Sequence, residues 1–313
     1  MDDARQVRLV RPPRLRPGEL VRLVSPASTP PREGVEALVR FFEEQGLRAS
    51  VGRHALDEHG FLAGTDDDRL ADLNDALADP AVRAVVATRG GKGAYRLADR
   101  LDVAAVRRDP TLLVGFSEIT VLHLALWKAT GVAGLHGAPA VAAWDGEVAE
   151  RAFLDAVRTD ADVVLASAPD APTAALTTTG RATGMLLGGN QDLVATAAGW
   201  ALPSLRGAIL LLEAVGLGLG QVDRQLTMLT RSGRLDGVAG VAVGQYTRCD
   251  PTPGDTGDWT VLDVLRERLH GLGVPVLGGL PVGHEEGAHA VPVGTPATLD
   301  ADAGTLTVTA AVS

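Results

Sequence analysis

Two hydrophobic patterns alternate along this chain. Short apolar runs of strand type are separated by longer segments in which apolar residues recur every three to four positions, as on one face of a helix. The strand-type runs lie at residues 20–27, 49–54, 84–88, 208–212 and 238–245. The helical segments lie at residues 33–46, 65–77, 93–101, 118–130, 147–158, 221–231 and 259–270. This alternation predicts an α/β fold with a parallel sheet that is covered by helices on both faces.

A change of composition divides the chain in two. Residues 161–180 are rich in Asp, Ala, Pro and Thr and show little periodicity, which is typical of a linker. We therefore predict an N-terminal α/β domain over residues 1–160. Residues 181–313 combine helical segments with a β-like stretch at residues 274–308, which predicts a mixed α/β C-terminal domain.

Length, charge and cysteine content exclude several classes of protein. A chain of 313 residues is long enough for two domains. Its net charge of −10 argues against a general binder of nucleic acid or of anionic membranes. Cys249 is the single cysteine, so no intramolecular disulfide can form. Because no apolar run approaches the length of a membrane span or follows the Arg-rich start as in a signal peptide, we expect a cytoplasmic protein.

Ser117 is the first candidate for chemistry. The apolar run before it ends abruptly at Gly115, and a helical pattern starts directly after it. Ser117 therefore lies on a strand-to-helix turn at the carboxyl edge of the predicted sheet, where open α/β sheets bind their ligands. A serine on such a turn is either a nucleophile, as on the elbow of hydrolases, or a helix N-cap.

A glycine-rich loop, Arg89-Gly90-Gly91-Lys92-Gly93, follows the preceding strand. Backbone N–H groups in such a loop can bind an anion, and glycine lets a ligand approach closely. The spacing differs from that of a Walker A phosphate loop, in which Ser or Thr follows the lysine. The pattern is compatible with a ligand loop and with a tight turn alone.

Acid–base candidates lie further along the chain. Glu213 ends an apolar strand and must be partly desolvated, either in a catalytic role or in a buried ion pair. His284 follows another apolar segment, and His123 and His136 compete with it for the role of catalytic base. His284 and His289 are five residues apart with a glycine between them, which does not suit a helical zinc motif, so we expect no metal and no cofactor.

Taken in order, these motifs resemble those of the LD-carboxypeptidase family of serine peptidases, which includes the microcin C immunity peptidases. The resemblance extends over about 270 residues, and eight blocks in the family's order are hard to attribute to chance. The blocks include Val24-Ser25-Pro26-Ala27-Ser28, Thr88-Arg89-Gly90-Gly91, Gly115-Phe116-Ser117-Glu118, Leu135-His136-Gly137, Gly188-Gly189-Asn190, Leu211-Leu212-Glu213 and Val282-Gly283-His284. The resemblance implies a flavodoxin- or amidotransferase-like parallel-sheet domain followed by a smaller, mixed α/β swivelling domain.

The resemblance also implies a catalytic triad. Ser117 matches the family's nucleophile, His284 its base and Glu213 the acid that orients the base. The family's oxyanion hole corresponds to the backbone N–H groups of Gly91 and Glu118. Because the nucleophile and the base belong to different domains, the site is expected at the domain junction.

The substrate implied by the family is a muropeptide tetrapeptide, from which the enzyme removes the terminal D-alanine at an L,D-amide bond during peptidoglycan recycling. Substrate contacts are expected from Gly90, Lys92 and Asn190. Lys92 stands where well-known members carry an aromatic residue, and we expect it to bind the terminal carboxylate. The family also implies a homodimer.

Two other functions fit the same residues. An immunity-type peptidase would cleave an aminoacyl nucleotide, and its relatives place tryptophans near the nucleobase, for which Trp144, Trp200 and Trp259 are available. A ligand-binding module without catalysis is disfavoured, because all three triad positions carry usable side chains.

Overall fold

The strands form two sheets in a computed structural model that describes residues 8–138, 147–251 and 257–313. The first sheet has the strand order β11-β5-β4-β3-β1-β2, and the second has the order β10-β9-β8-β7-β12-β13-β6. The α/β fold class that the hydrophobic pattern predicts is therefore confirmed. In the described ranges no helix is both long and apolar enough to cross a membrane.

The first sheet is parallel apart from one edge strand. Its parallel strands are β1 (Leu20–Val24), β2 (Arg48–Val51), β3 (Val82–Ala87), β4 (Leu112–Gly115) and β5 (Gly134–His136). The edge strand is β11 (Val291–Val293), which comes from the C-terminal half and pairs antiparallel with β5. The helices between the parallel strands are α1 (Arg32–Glu44), α2 (Asp66–Ala78), α3 (Val103–Arg108) and α4 (Thr120–Thr130).

The second sheet is mixed. Its parallel part consists of β7 (Arg181–Asn190), β8 (Ile209–Val215), β9 (Gly240–Thr247) and β10 (Val276–Leu277). Its antiparallel part consists of β12 (Pro296–Asp300), β13 (Thr305–Val308) and β6 (Val163–Ala166). Helix α5 (Glu147–Arg158) precedes β6. The helices between the parallel strands of this sheet are α6 (Gln191–Thr196), α7 (Leu219–Arg231) and α8 (Val261–His270).

The segment predicted as a linker has its own secondary structure. Within residues 161–180, β6 pairs with β13 and a 3₁₀ helix covers Pro172–Leu176. A short strand at the edge of a sheet needs few apolar residues, so the composition of this segment does not reveal β6. The division into domains at residues 160 and 181 remains a prediction.

The helix predicted at residues 93–101 is wrong. The segment contains one 3₁₀ turn, Ala94–Arg96, whose N-cap Gly93 has φ 108°. The N–H groups of Gly93 and Ala94 bind the carboxylate of Glu118, and the carbonyl of Gly93 accepts a hydrogen bond of 3.0 Å from Arg69. These side-chain bonds replace the first turn of a regular helix.

An aromatic cluster packs two helices on the first sheet. Phe41 and Phe42 of α1 and Phe153 of α5 lie with their ring centroids 5.2–6.4 Å apart in edge-to-face contacts. Ala311 and Val312 are fully buried in the same cluster. Residues from late in the chain therefore complete the core of the first sheet.

Candidate active site

Ser117 occupies a strained turn between β4 and α4. The residue starts a 3₁₀ turn, Ser117–Ile119, and has φ 58°, in the left-handed region that a non-glycine residue adopts only at a cost of about 1–3 kcal/mol. Phe116 holds the N-cap position of this turn and no side chain caps it, so the N-cap interpretation of Ser117 is wrong. The turn presents the Ser117 side chain at the carboxyl end of the sheet, as a nucleophile elbow does.

The glycine-rich loop lies directly against this turn. A Cβ atom at Gly90 would be 2.9 Å from Ser117 Cβ and 3.1 Å from Ser117 Oγ. Gly91 has φ 114°, and a Cβ atom there would lie 2.6 Å from Ser28 Cβ. Both positions therefore require glycine, and the backbone of the loop can approach any group that is bound to Ser117.

The side chain of Glu118 connects the glycine-rich loop to the turn that contains Ser117. Its side chain is 3% exposed, and Oε1 accepts hydrogen bonds from the N–H groups of Gly93 at 2.6 Å and Ala94 at 2.9 Å. Burial raises the pKa of this carboxyl group, and the backbone donors oppose that shift. The sequence indicated a role only for the backbone of Glu118. Its side chain holds Gly93 and Ala94, which follow the predicted oxyanion donor Gly91, against the turn that contains Ser117.

Glu118→Ala is expected to loosen the loop. Two buried N–H groups would lose a charged acceptor, so the free energy of unfolding should fall by about 3 kcal/mol. We expect kcat to fall by about 10- to 100-fold through the displaced loop. Urea unfolding and steady-state kinetics measure the two effects. Asp99→Ala, in the next turn of the same segment, is the control that should change neither.

Glu213 and His284 form a pair at the second sheet. Glu213 lies in β8 and is fully buried, and His284 follows β10 in a loop. His284 Nδ1 lies 2.7 Å from Glu213 Oε2, and the His284 side chain is 16% exposed. The Phe116 ring, next to Ser117, lies 4.9 Å from the His284 ring. Residues of the two sheets therefore meet at this point.

A cavity of about 760 Å³ joins these groups. Ser117 and His284 both line it, and Glu213 lies behind His284, away from the cavity. Gly90, Gly91, Lys92 and Asn190 also line it. The volume is typical of a site for a small ligand. Glu118 lines it as well, so of the eight residues predicted for the site only Glu213 does not line the cavity, and their roles remain predictions.

Asn190 and Thr120 connect the two halves of the site. Asn190 ends β7, its side chain accepts a hydrogen bond from Asp192 N at 3.2 Å, and its backbone N–H donates to Thr120 Oγ1 at 3.0 Å. Thr120 begins α4, three residues after Ser117. This link across the halves has no signal in the sequence, because a threonine in the first turn of a helix is common.

Arg248 is a cavity residue that the sequence did not indicate. It follows β9, is exposed, and has φ 51°. Its guanidinium group makes no ion pair with the described part of the chain. Cationic side chains from both halves therefore line the cavity, Arg89 and Lys92 from the first and Arg248 from the second.

The other candidate bases are buried and neutral. Burial lowers the pKa of His123 to about 4 and that of His136 to about 3. His123 Nε2 contacts the carbonyl of Gly115 at 3.0 Å, and neither ring lines the main cavity. Neither histidine can serve as a base that substrate reaches directly.

Other predicted ligands lie elsewhere. Trp200 and Trp259 are 39% and 53% exposed and do not line the cavity, and Trp144 lies outside the described residues. Among the described residues, the one cluster with metal-ligand spacing is His54, Asp57 and Asp68, where His54 Nδ1 is 2.7 Å from Asp57 Oδ2. His289 takes no part in it.

The buried histidines should make stability depend on pH. The unfolded chain binds a proton at His123 near pH 6.5, whereas the folded chain does so near pH 4, so acidification favours unfolding in this range. We expect the contribution of His123, about 3 kcal/mol, to be present above pH 6.5 and lost by pH 4. Urea unfolding between pH 7.5 and pH 4.5 measures the slope. If His123→Gln keeps the full slope, this prediction is wrong.

Comparison with known proteins decides the family. The family profile described as the LD-carboxypeptidase N-terminal domain matches residues 21–137, and the profile of the C-terminal domain matches residues 183–299. The chain belongs to the LD-carboxypeptidase family. The enzyme is therefore a hydrolase of the carboxypeptidase type and, by family, a serine peptidase.

Relatives match this LD-carboxypeptidase over nearly the whole chain. A Streptomyces coelicolor protein named as a putative carboxypeptidase is 43% identical over 312 residues, covering 96% of each chain. A murein tetrapeptide carboxypeptidase of Pseudomonas aeruginosa is 30% identical and covers 90% of this chain and 92% of its own.

Solved structures share its fold. The muramoyltetrapeptide carboxypeptidase of Oxalobacter formigenes superposes with a TM-score of 0.78 at 26% identity, covering 92% of this chain and 97% of that one. The microcin C7 self-immunity protein MccF, in complex with aspartyl sulfamoyl adenosine, superposes with a TM-score of 0.81 at 21% identity, covering 97% and 100%. The latter likeness concerns the fold alone.

Proposed function

We propose that the enzyme hydrolyses the L,D-amide bond to the terminal D-alanine of muropeptide tetrapeptides through a Ser117-His284-Glu213 triad. The observation that carries the proposal is one cavity lined by a strained serine and by a histidine that is bound to a buried carboxylate. Two family relatives act, by name, on murein peptides. Muropeptides are recycled in the cytoplasm, so the proposal includes a cytoplasmic location. It also includes the homodimer that the family implies.

The triad supplies both proton transfers. His284 Nε2 accepts the proton of Ser117 Oγ as the oxygen attacks the scissile carbonyl carbon, and Glu213 Oε2 accepts a hydrogen bond from His284 Nδ1–H. The imidazolium then gives its proton to the amine of the leaving D-alanine, and the C–N bond breaks. Water, activated by the same imidazole, hydrolyses the remaining ester and regenerates Ser117.

The oxyanion of the tetrahedral intermediate would be stabilised by backbone donors. Gly91 N–H and Glu118 N–H are placed on the loop and on the turn that Glu118 Oε1 holds together. Each donor of this kind is worth about 3–4 kcal/mol of barrier. The buried carboxylate of Glu118 thus acts on the reaction through the backbone.

Lys92→Ala is expected to raise KM for a tetrapeptide by about 10-fold with little change in kcat. Lys92 lines the cavity one residue beyond Gly91, and an ammonium group there can bind the carboxylate of the terminal D-alanine. Steady-state kinetics with a tetrapeptide and with its C-terminal carboxamide measure the effect. The carboxamide is the control, because its KM should be the same for both enzymes. An unchanged KM for the free acid would exclude this role.

The reaction itself is tested by mass spectrometry of UDP-MurNAc-tetrapeptide after incubation with the enzyme. Loss of one alanine to give the tripeptide supports the proposal. If the folded enzyme leaves the tetrapeptide intact, aminoacyl sulfamoyl nucleotides are the next substrates to test, since proteins of the MccF type share the fold. Binding of the tetrapeptide without cleavage would indicate a ligand-binding module.

A further inference from the structure

The two oxygens of Glu213 have different surroundings. Oε2 lies 2.7 Å from His284 Nδ1, but Oε1 has no hydrogen-bond partner among the described residues, although it is completely buried. The nearest basic group is His136 Nε2, at 3.8 Å. A buried carboxylate oxygen without a donor is costly, so this contact needs an explanation.

The buried side chain of His136 likewise lacks a hydrogen-bond partner in the described part of the chain. It ends β5, its ring is 1% exposed, and neither ring nitrogen has a hydrogen-bond partner within the described ranges. Phe116 packs edge-to-face on the ring with a centroid distance of 6.2 Å. On another side is Gly189, where a Cβ atom would lie 2.8 Å from His136 Nδ1. The ring is therefore confined beside the carboxylate, and Gly189 leaves room for it.

We propose that His136 is a positioning residue of the reaction, which donates its Nε2–H to Glu213 Oε1 while Oε2 binds His284. Glu213 then holds one imidazole on each oxygen. The inference rests on the triad proposed above and adds to it a residue that does not touch the substrate. To form this bond the contact must shorten to about 3 Å, as catalytic hydrogen bonds often do when substrate binds.

The charges around Glu213 suit this role. Burial keeps the pKa of His136 near 3, so the ring is neutral at pH 7 and can donate one proton only. Tyr246 and Cys249, near the end of β9, also interact electrostatically with Glu213, and burial raises the pKa of both, so they too are neutral. A neutral His136 can therefore donate to Oε1 without bringing a second positive charge to the pair of Glu213 and His284.

A second donor would fix the orientation of the Glu213 carboxylate. If Oε1 were free, the carboxylate could rotate about its Cγ–Cδ bond and weaken the bond between Oε2 and His284. A donor on Oε1 fixes the plane of the carboxylate and so the tautomer and orientation of His284. Phe116 contacts both imidazole rings, which keeps the three side chains packed together.

Two variants of His136 test the inference. Gln keeps an N–H donor at a reach similar to Nε2, whereas Leu removes it. We expect His136→Leu to lower kcat by about 10- to 100-fold with KM changed less than about 2-fold. The acid limb of its kcat/KM should move to lower pH, because this limb reports protonation of the catalytic base, and a carboxylate that is no longer held in place stabilises the protonated imidazole less. His136→Gln should restore most of the wild-type kcat and bring the midpoint of the acid limb most of the way back to its wild-type value.

His123→Leu is the matched control. His123 is an equally buried, neutral histidine that bonds to a backbone carbonyl and not to Glu213. It should lose stability as His136→Leu does, while the midpoint of the acid limb stays at the wild-type value. If both His136 variants lose activity in step with stability and leave this midpoint unchanged, His136 only packs the core and the inference is wrong.

The tautomer of His136 can be measured in the wild-type enzyme without turnover. Two-bond ¹H–¹⁵N correlation of histidine-labelled enzyme should show His136 with its proton on Nε2, and Glu213→Gln should shift that signal. An Nδ1–H tautomer would overturn the inference. The tautomer does not depend on which substrate is cleaved. The proposed function is tested separately, because it fails if an enzyme without Ser117 Oγ keeps its turnover.

Discussion

Ser117→Ala should lower kcat for the tetrapeptide by at least about 10⁴-fold, because the nucleophilic oxygen is removed while the rest of the cavity stays in place. D-Alanine release measures the loss, and calorimetric titration with tetrapeptide should show binding close to that of the wild type. A variant that keeps a tenth of the activity would exclude Ser117 as nucleophile and with it the proposed mechanism.

Ser117→Gly gives this experiment a control for folding. The residue has φ 58°, where glycine is unstrained, whereas Ala keeps the strain. We expect the Gly variant to be inactive and yet more stable than the Ala variant by about 1 kcal/mol. Greater stability together with lost turnover would show that the inactivity of both variants follows from removal of Oγ and not from a destabilised fold.

Glu213→Gln is expected to lower kcat by about 10⁴-fold with a smaller change in KM. The amide has the same shape as the carboxylate, but it can present an N–H group to His284 Nδ1, which favours the wrong tautomer and removes the charge that stabilises the imidazolium. The pH dependence of kcat/KM and the histidine ¹⁵N signals measure the change.

Glu285→Gln is the matched control for this variant. Glu285 follows His284 directly, but its carboxylate is exposed and lies 3.3 Å from Thr247 Oγ1. We expect a change in kcat of less than about 2-fold. If the two variants had equal activities, the buried pair would be structural, which is the alternative that the sequence left open for Glu213.

The features that could be predicted from the sequence are local ones. The helix predicted over residues 65–77 corresponds to α2, which begins after Thr65, whose Oγ1 accepts a hydrogen bond from Asp68 N at 3.2 Å. The turn at Ser117 follows from an apolar strand that runs directly into a helical pattern. Such signals depend on neighbours within a few residues, which the sequence displays.

The features that could not be predicted join residues far apart in the chain. Glu118 looks like a polar residue at the start of a helix, and its hold on Gly93 appears only when β3 and β4 lie side by side. The approach of His136 to Glu213 depends on contact between the two sheets. No period or propensity encodes such contacts, because each residue is ordinary in its own segment.

The origin of β11 has a consequence for synthesis of the protein. The first sheet takes its edge strand from Val291–Val293, and its aromatic core takes Ala311 and Val312, more than 130 residues after α5. During translation the N-terminal half therefore leaves the ribosome with one edge of its sheet unpaired and part of its core uncovered. At that stage β5, which ends in His136, has no partner on one side. The nascent chain would thus bring His284 and Glu213 to Ser117 only after the second sheet has been made, so under the proposed mechanism unfinished chains carry the serine but no peptidase activity.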